Sequence, residues 1–235
     1  MYTIIKGGNK MAENEEKKVN TEELKSEASN TVNQVKDTIK NVDIKKDSIE
    51  TKGFITELFK NPLEKIKEIV EKDNGQYLKY AIIILVIWTA VELIARCFTV
   101  GTIWRWSGLG TSLMAIIRAT IAPVISVLVM SIIVLMMNKK NKKPLTTIIT
   151  AVTTANIPVV AASIVSLLTI FSTSVSIITS PFTILCNTIS IVLMYFALKA
   201  IFGEEKNSDF IKKFVIVEAI YYVAYIIFSL LKIYI

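Results

Sequence analysis

VISVLVMSIIVLMM, residues Val124–Met137, is apolar on every face of any helix or strand built from it. A strand of an outer-membrane barrel alternates polar and apolar side chains over about ten positions. This run does not, and neither does AIIILVIWTAV at Ala81–Val91. In hydrocarbon each backbone N–H and C=O must be satisfied within its own segment, which leaves the helix. Outward from this run, five such stretches fill the chain from about Tyr80 onward: 79–98, 111–137, 145–171, 175–202 and 214–235. Each is close to or above the roughly 20 residues a helix needs to cross a bilayer core. The pattern predicts an all-α, polytopic integral membrane protein with a five-helix transmembrane domain over 79–235.

Charge is excluded from these blocks and concentrated before Lys79. The formal charge of +7 and a pI near 9.2 raise nucleic acid as a partner. The basic residues sit at membrane ends, however, where they meet anionic lipid at the cytoplasmic face, so nucleic acid is not expected. The chain has no histidine, so imidazole acid–base chemistry and imidazole ligation are unavailable. Cys97 would lie at the outer end of the first span and Cys186 near the middle of the fourth, a depth difference that argues against a disulfide. Catalysis at a membrane site would need acidic, Cys or His groups gathered at one depth. None is evident, so neither an enzyme nor a cofactor is expected.

Residues 1–10 read as translated leader. Lys6, Gly7 and Gly8 back-translate to a bacterial ribosome-binding sequence at a typical distance from Met11. A cleavable signal needs a basic start and an apolar run, and residues 1–50 offer only Tyr2–Ile5. The first span would then serve as an uncleaved signal anchor. Residues 11–52 are a charged tract too poor in apolar mass to offset its ordering entropy, and are expected as a disordered cytoplasmic tail. Val32, Val35, Ile39, Val42 and Ile49 nonetheless form a heptad-like stripe. Gly53 should break the tract. Residues 53–74 then read as an amphipathic interfacial region, with Phe54, Leu58 and Phe59 as apolar anchors. Asn61 is the expected helix cap, Pro62 the first helical residue and Glu64 the return toward the cap. The element lies in the headgroups or packs on the cytoplasmic ends of the spans, and a turn at Asp73–Gly75 leads into the first span.

Trp104 and Trp106, in an outer connection over 99–110, suit the membrane–water interface. The loops 138–143 and 203–213 are lysine-rich, as is the N-terminal flank, whereas the opposite connections carry only Arg105, with Arg96 at a span end. The positive-inside rule therefore predicts a cytoplasmic N-terminus in a bacterial plasma membrane and, after five crossings, an external C-terminus.

Within the spans, Glu92 lies six residues before the outer end of its segment and Arg118 seven residues after the outer end of the next, about 9 and 10 Å deep. A Glu92–Arg118 ion pair is expected, with Arg96 reaching the outer headgroups. Glu218 stands alone in the fifth span as a candidate ionisable site, with Lys199 or Lys212 as snorkelling partners. Pro123, Pro158 and Pro181 each remove a backbone donor from a span and are expected to kink it. Around Pro158 the third span is rich in small polar residues, including Thr150, Thr153, Thr154 and Asn156, suited to close helix packing.

One run, Leu58–Leu63, leads into the amphipathic segment. Another, Met194–Gly203, closes the fourth span before a basic turn into the fifth. In these runs and in the order of its elements, the chain over about Phe54–Ile235 resembles the bacterial branch of the Yip (Ypt/Rab-interacting) family of five-span membrane proteins. In eukaryotes that resemblance implies Rab-GTPase binding and membrane shaping; in a bacterium, which lacks that partner, it implies the fold alone. The expected function is a non-enzymatic organiser of lipid or of a membrane partner at the cytoplasmic face, with homo-oligomers among its possible assemblies. The alternative is a small-solute or ion permease built on the kinked spans two to four.

Overall fold

The computed structural model describes residues 25–72, 77–107, 109–138, 141, 143–203 and 206–230, with side chains described outside 44–45, 99–112 and 173. Among them every regular element is helical. The expected leader at 1–10, the expected tail up to residue 24, the expected turn at 73–75 and the side chains of Trp104, Arg105 and Trp106 lie outside the described residues.

Two compact units are present, Met1–Asn41 and Val42–Ile235. In the first, residues 25–40 form helix α1. This stretch, expected as part of the disordered tail, is helical here. Lys25, Glu27, Ala28, Gln34, Lys36 and Lys40 all have good helix propensity, and the Thr38 hydroxyl folds back onto the Gln34 carbonyl at 2.7 Å.

The second unit opens with α2, Ile44–Lys60. Its start is fixed by two aspartates acting reciprocally. Asp43 accepts from the Lys46 N–H at 3.2 Å, and Asp47 accepts from the Asp43 N–H at 2.8 Å, a variant of the capping box. Gly53, expected to break the chain, lies inside α2 with open space around its Cα. A mid-helix glycine costs only about 1 kcal/mol, which the packed Phe54 and Leu58 outweigh. Helix α3, Pro62–Glu71, begins where the sequence places it, with Pro62 in the first turn, but Asn61 makes no side-chain cap.

The apolar segments follow as α4 (Leu78–Ser107), α5 (Leu109–Met137), α6 (Leu145–Ala155), α7 (Ile157–Ser166), α8 (Ser176–Phe202) and α9 (Asn207–Leu230), with short 3-10 turns at Leu167–Ile170 and Thr173–Val175. Among the described residues four helices are long and apolar enough to cross a membrane: α4, α5, α8 and α9. Together α6 and α7, bent by 45° at Asn156, make a fifth crossing when taken as one broken span. The expected connection at 99–110 is helical over 99–107 and 109–110, because α4 runs on past its apolar portion. Helix α9 starts at Asn207, well before the expected residue 214, so the last loop is short.

Pro123 and Pro181 sit inside continuous helices, whereas the helix is interrupted just before Pro158, at Asn156. Asn156 caps both sides of that break. Its side-chain amide donates to the Val152 carbonyl at 2.9 Å. The hydroxyl of Ser190, midway along α8, donates to the Ala155 carbonyl at 2.9 Å and lies 3.2 Å from Asn156 Oδ1. Every residue of α6 is buried. The helix is packed among α3, α4, α5 and α8, with Ile148, Val152 and Ala155 in the common core.

One end of the bundle gathers α2, α3 and the short connections. Lys143 donates to the Val70 carbonyl at 2.9 Å, and Asn141 to the Ile201 carbonyl at 3.3 Å. Gly203 caps α8 at φ 74°, and a Cβ there would stand 2.4 Å from the Asn141 amide nitrogen. Replacing Ser190 with alanine strands the Ala155 carbonyl in a dry interior. The expected cost is about 1–3 kcal/mol, read as a lower midpoint of unfolding in mixed detergent, with Ser190→Thr partly restoring it.

Candidate functional site

Two regions bring polar chemistry together. The first is the seam where the α2–α3 hairpin meets the start of α4. Lys79, at the foot of α4, binds Asp47 at 3.0 Å and Glu50 at 2.5 Å. The Tyr80 hydroxyl reaches Glu50 at 3.2 Å. Lys65 bridges Glu57 at 2.7 Å and Glu68 at 3.0 Å. Glu68 also accepts from Lys72 at 2.8 Å and from the Tyr77 hydroxyl at 2.7 Å. Phe54 stacks on Tyr80 with centroids 4.9 Å apart, and the Lys65 ammonium lies 5.3 Å from the Tyr77 ring centre.

These contacts shift the ionisable groups. The hydrogen bond from Lys79 holds both Asp47 and Glu50 below their ordinary range. Glu68 is held down at about 2 by its bonds to Lys72, Tyr77 and Lys65, in that order. Burial, then the Glu68 carboxylate, pushes the Tyr77 phenol up to about 12.

This packing corrects the expected lipid anchors. Phe54 is buried and Leu58 is 0% exposed, both inside the protein core rather than in lipid. Ile66, Ile69 and Val70 of α3 join them there. Phe59 and Leu63 face outward, at 53% and 51% exposure.

The second region is a cavity of about 280 Å³ in the half of the bundle beyond the Asn156 break. Its walls come from α4, α7, the 3-10 turn after α7, and α8. Its polar lining is Glu92, Ser163, Ser166, Thr169, Thr183 and Asn187. Ser163 donates to Glu92 Oε1 at 3.0 Å. Thr169 donates to the Ser166 carbonyl at 2.6 Å and Thr183 to the Thr179 carbonyl at 2.8 Å.

The expected Glu92–Arg118 pair is not formed. Glu92 turns to Ser163 instead, and among the described residues no lysine or arginine nitrogen comes within 4.0 Å of it. The cause is depth. With α4 extended to Ser107, Glu92 lies fifteen residues from that helix end, whereas Arg118 lies nine residues past the start of α5. The mismatch of six residues is about 9 Å along antiparallel helices. Arg96 and Arg118, at closer depths, are both partly exposed.

Glu218 is on α9, well away in sequence from the cavity lining. Among the described residues it has no hydrogen-bond or ion-pair partner, and Lys199 bonds Asn207 instead, at 3.3 Å. Of the threonines around Pro158, Thr150 returns its proton to the Thr146 carbonyl at 2.8 Å. The hydroxyls of Thr153 and Thr154 are buried without a partner among the described residues. Cys97 is exposed and Cys186 buried, and both are free thiols. Sequence reasoning missed Thr183 and Asn187, and read Ser163 only as one of the small packing residues of the third span. Their only signal was polarity inside apolar spans, which close helix packing explains equally well.

Fold and site together define a polytopic helical membrane protein. Family models, curated proteins and solved structures give no match to the chain.

Because the folded pKa of Glu68 is depressed, its contribution to docking is complete above about pH 4.5 and is lost as pH falls toward 2. Acidification from about pH 5 to about pH 2 should loosen α3, seen as faster pepsin cleavage within residues 54–72. Glu68→Gln should already show the faster cleavage at the upper pH.

Proposed function

We infer that this is a non-enzymatic membrane protein of Yip-like organisation that works at the membrane surface through the α2–α3 hairpin, with that end in the cytoplasm and anionic lipid headgroups as its contact. One observation carries the reading. Phe59 and Leu63 are outward-facing apolar side chains at the corner between α2 and α3, and exposed Lys52 and Lys60 accompany them. Lysines around an apolar tip combine partial insertion with attraction to an anionic leaflet. The inner face of the hairpin is held by the bundle, which supports a fixed rim that meets the headgroups. Orientation by the lysine-rich loops agrees with this, since the lysine-bearing connections and the hairpin share one end.

The test uses the full chain with its native cysteines replaced and a single cysteine at position 59 or 63. In nanodiscs containing anionic lipid, a membrane-impermeant maleimide should label Phe59→Cys and Leu63→Cys several-fold more slowly than in purely zwitterionic nanodiscs. Added salt should reduce the difference. Equal, rapid labelling in both would remove the lipid contact.

A second reading, a small-solute or ion permease, is favoured by the broken crossing at Asn156, since transporters commonly bind at unwound mid-membrane helices. It requires flux in proteoliposomes that falls when Asn156 is replaced by leucine; no flux above empty liposomes would dismiss it.

A further inference from the structure

We propose that the cavity beyond the Asn156 break is a binding site for a primary ammonium group, with Glu92 as its counter-ion. The inference is independent of the lipid contact at the other end of the bundle.

The argument starts from an unbalanced charge. Intramembrane carboxylates are costly and are ordinarily paired. Glu92 has a serine hydroxyl as its hydrogen-bond partner and no cationic nitrogen within 4.0 Å among the described residues. It also lines open space rather than packed side chains. A paired structural carboxylate would need neither the cavity nor the missing cation.

The remaining polar groups select for a donor-rich guest. A hydroxyl has one proton and two lone pairs. Ser163 has given its proton to Glu92, Thr169 to the Ser166 carbonyl and Thr183 to the Thr179 carbonyl. What these three side chains have left is acceptor capacity. The Asn187 carbonyl oxygen and the second oxygen of Glu92 extend it. An anion has nothing to bind in such a lining except the Asn187 amide and the Ser166 hydroxyl. A primary ammonium, with three donors and no acceptor, is the complementary guest.

Charge and size narrow the class further. One carboxylate balances a single positive charge. Among the described residues no cluster of three or more His, Cys, Asp or Glu side chains is present, and divalent cations generally draw on several charged ligands or waters. A volume of about 280 Å³ exceeds the needs of a bare ion, since one water occupies about 30 Å³ of liquid. Val91, Val159, Ala162, Leu167 and Ile170 supply apolar wall against which a short alkyl chain fits. The guest is therefore a small primary amine, free in solution or carried on a phosphoethanolamine headgroup.

Thermal unfolding of the full-length protein in a zwitterionic detergent tests this. Methylammonium and ethanolamine should raise Tm with dose, by roughly 3–6 °C at tenfold over half-saturation. Tetramethylammonium, which has no N–H, should not. The shift should vanish in Glu92→Gln and weaken in Ser163→Ala and Thr183→Val, while Glu218→Gln keeps it in full. Three outcomes overturn the assignment: no amine-dependent shift in the native chain, an equal shift with tetramethylammonium or sodium, or a full shift retained in Glu92→Gln. If Glu92→Gln does not fold, the Ser163 and Thr183 variants decide: undiminished shifts in both overturn it. In nanodiscs, phosphatidylethanolamine should suppress the response to free amine relative to phosphatidylcholine if the headgroup is the natural guest; equal responses identify a free amine.

Discussion

A helix that breaks inside hydrocarbon leaves backbone groups that water cannot reach, and the rest of this fold follows from how that is resolved at Asn156. Pro158 has no N–H to offer, so α6 cannot continue into α7 with an intact hydrogen-bond ladder. The carbonyl of Ala155 is taken by Ser190 on α8, and the Asn156 side-chain amide adds a second bond to the Val152 carbonyl, which the Asn156 backbone N–H already meets. The break is thus tied to one helix by a side chain and to its neighbour by another. Because α6 is enclosed by protein on all sides, no lipid meets the irregular backbone, as the bilayer requires. The 45° change of direction then carries α7 off the line of α6. The cavity lies beyond that bend, between α4, α7 and α8.

At the other end the balance of forces is different. The hairpin of α2 and α3 buries Phe54, Leu58, Ile66, Ile69 and Val70. At about 1.5–3 kcal/mol for each large side chain, this outweighs the ion pairs around Lys65 and Lys72, since partly exposed pairs contribute about 0–1 kcal/mol each. The charges therefore set register more than strength. Lys79 illustrates the point. Its place at the foot of α4, gripped by Asp47 and Glu50 on α2, fixes where α2 crosses the first span. Lys143, set against the C-terminal turn of α3 at the Val70 carbonyl, is stabilised there by the helix dipole and fixes the approach to α6.

The membrane class and the number of apolar segments were legible because hydrophobic length is a one-dimensional property. The boundaries of α5 and α8 were legible for the same reason. What could not be read was anything set by three-dimensional neighbours. Residues 99–107 carry glycine, tryptophan and arginine and resemble a connection, yet nothing in them forbids a helix, and α4 extends through them. That extension is also why the Glu92–Arg118 pairing failed: depth was counted from a helix end that the apolar run did not mark. Pro123, Pro158 and Pro181 are alike as letters. Pro158 lies just past an asparagine that caps both ways, and a serine on the adjacent helix takes the Ala155 carbonyl at the break. The cavity required four separate segments to converge, and Ser163, Thr183 and Asn187 have no spacing relative to Glu92 that a linear pattern would reveal.

The docking of the hairpin changes what a surface function can mean here. A free amphipathic helix would meet lipid along its whole apolar face. In this chain that face is spent on Leu58, Ile66 and Ile69, and the large apolar side chains that the two helices leave exposed are Ile49, Phe59 and Leu63. A lipid contact made through these side chains would be small in area, so its strength would come chiefly from the lysines and would be salt-sensitive. A hairpin held by both apolar burial and ion pairs also makes a poor hinge. If the protein responds to its membrane, the response belongs in the half beyond Asn156, where the backbone is already broken and open space remains, and where Glu92 has no cationic nitrogen within 4.0 Å among the described residues.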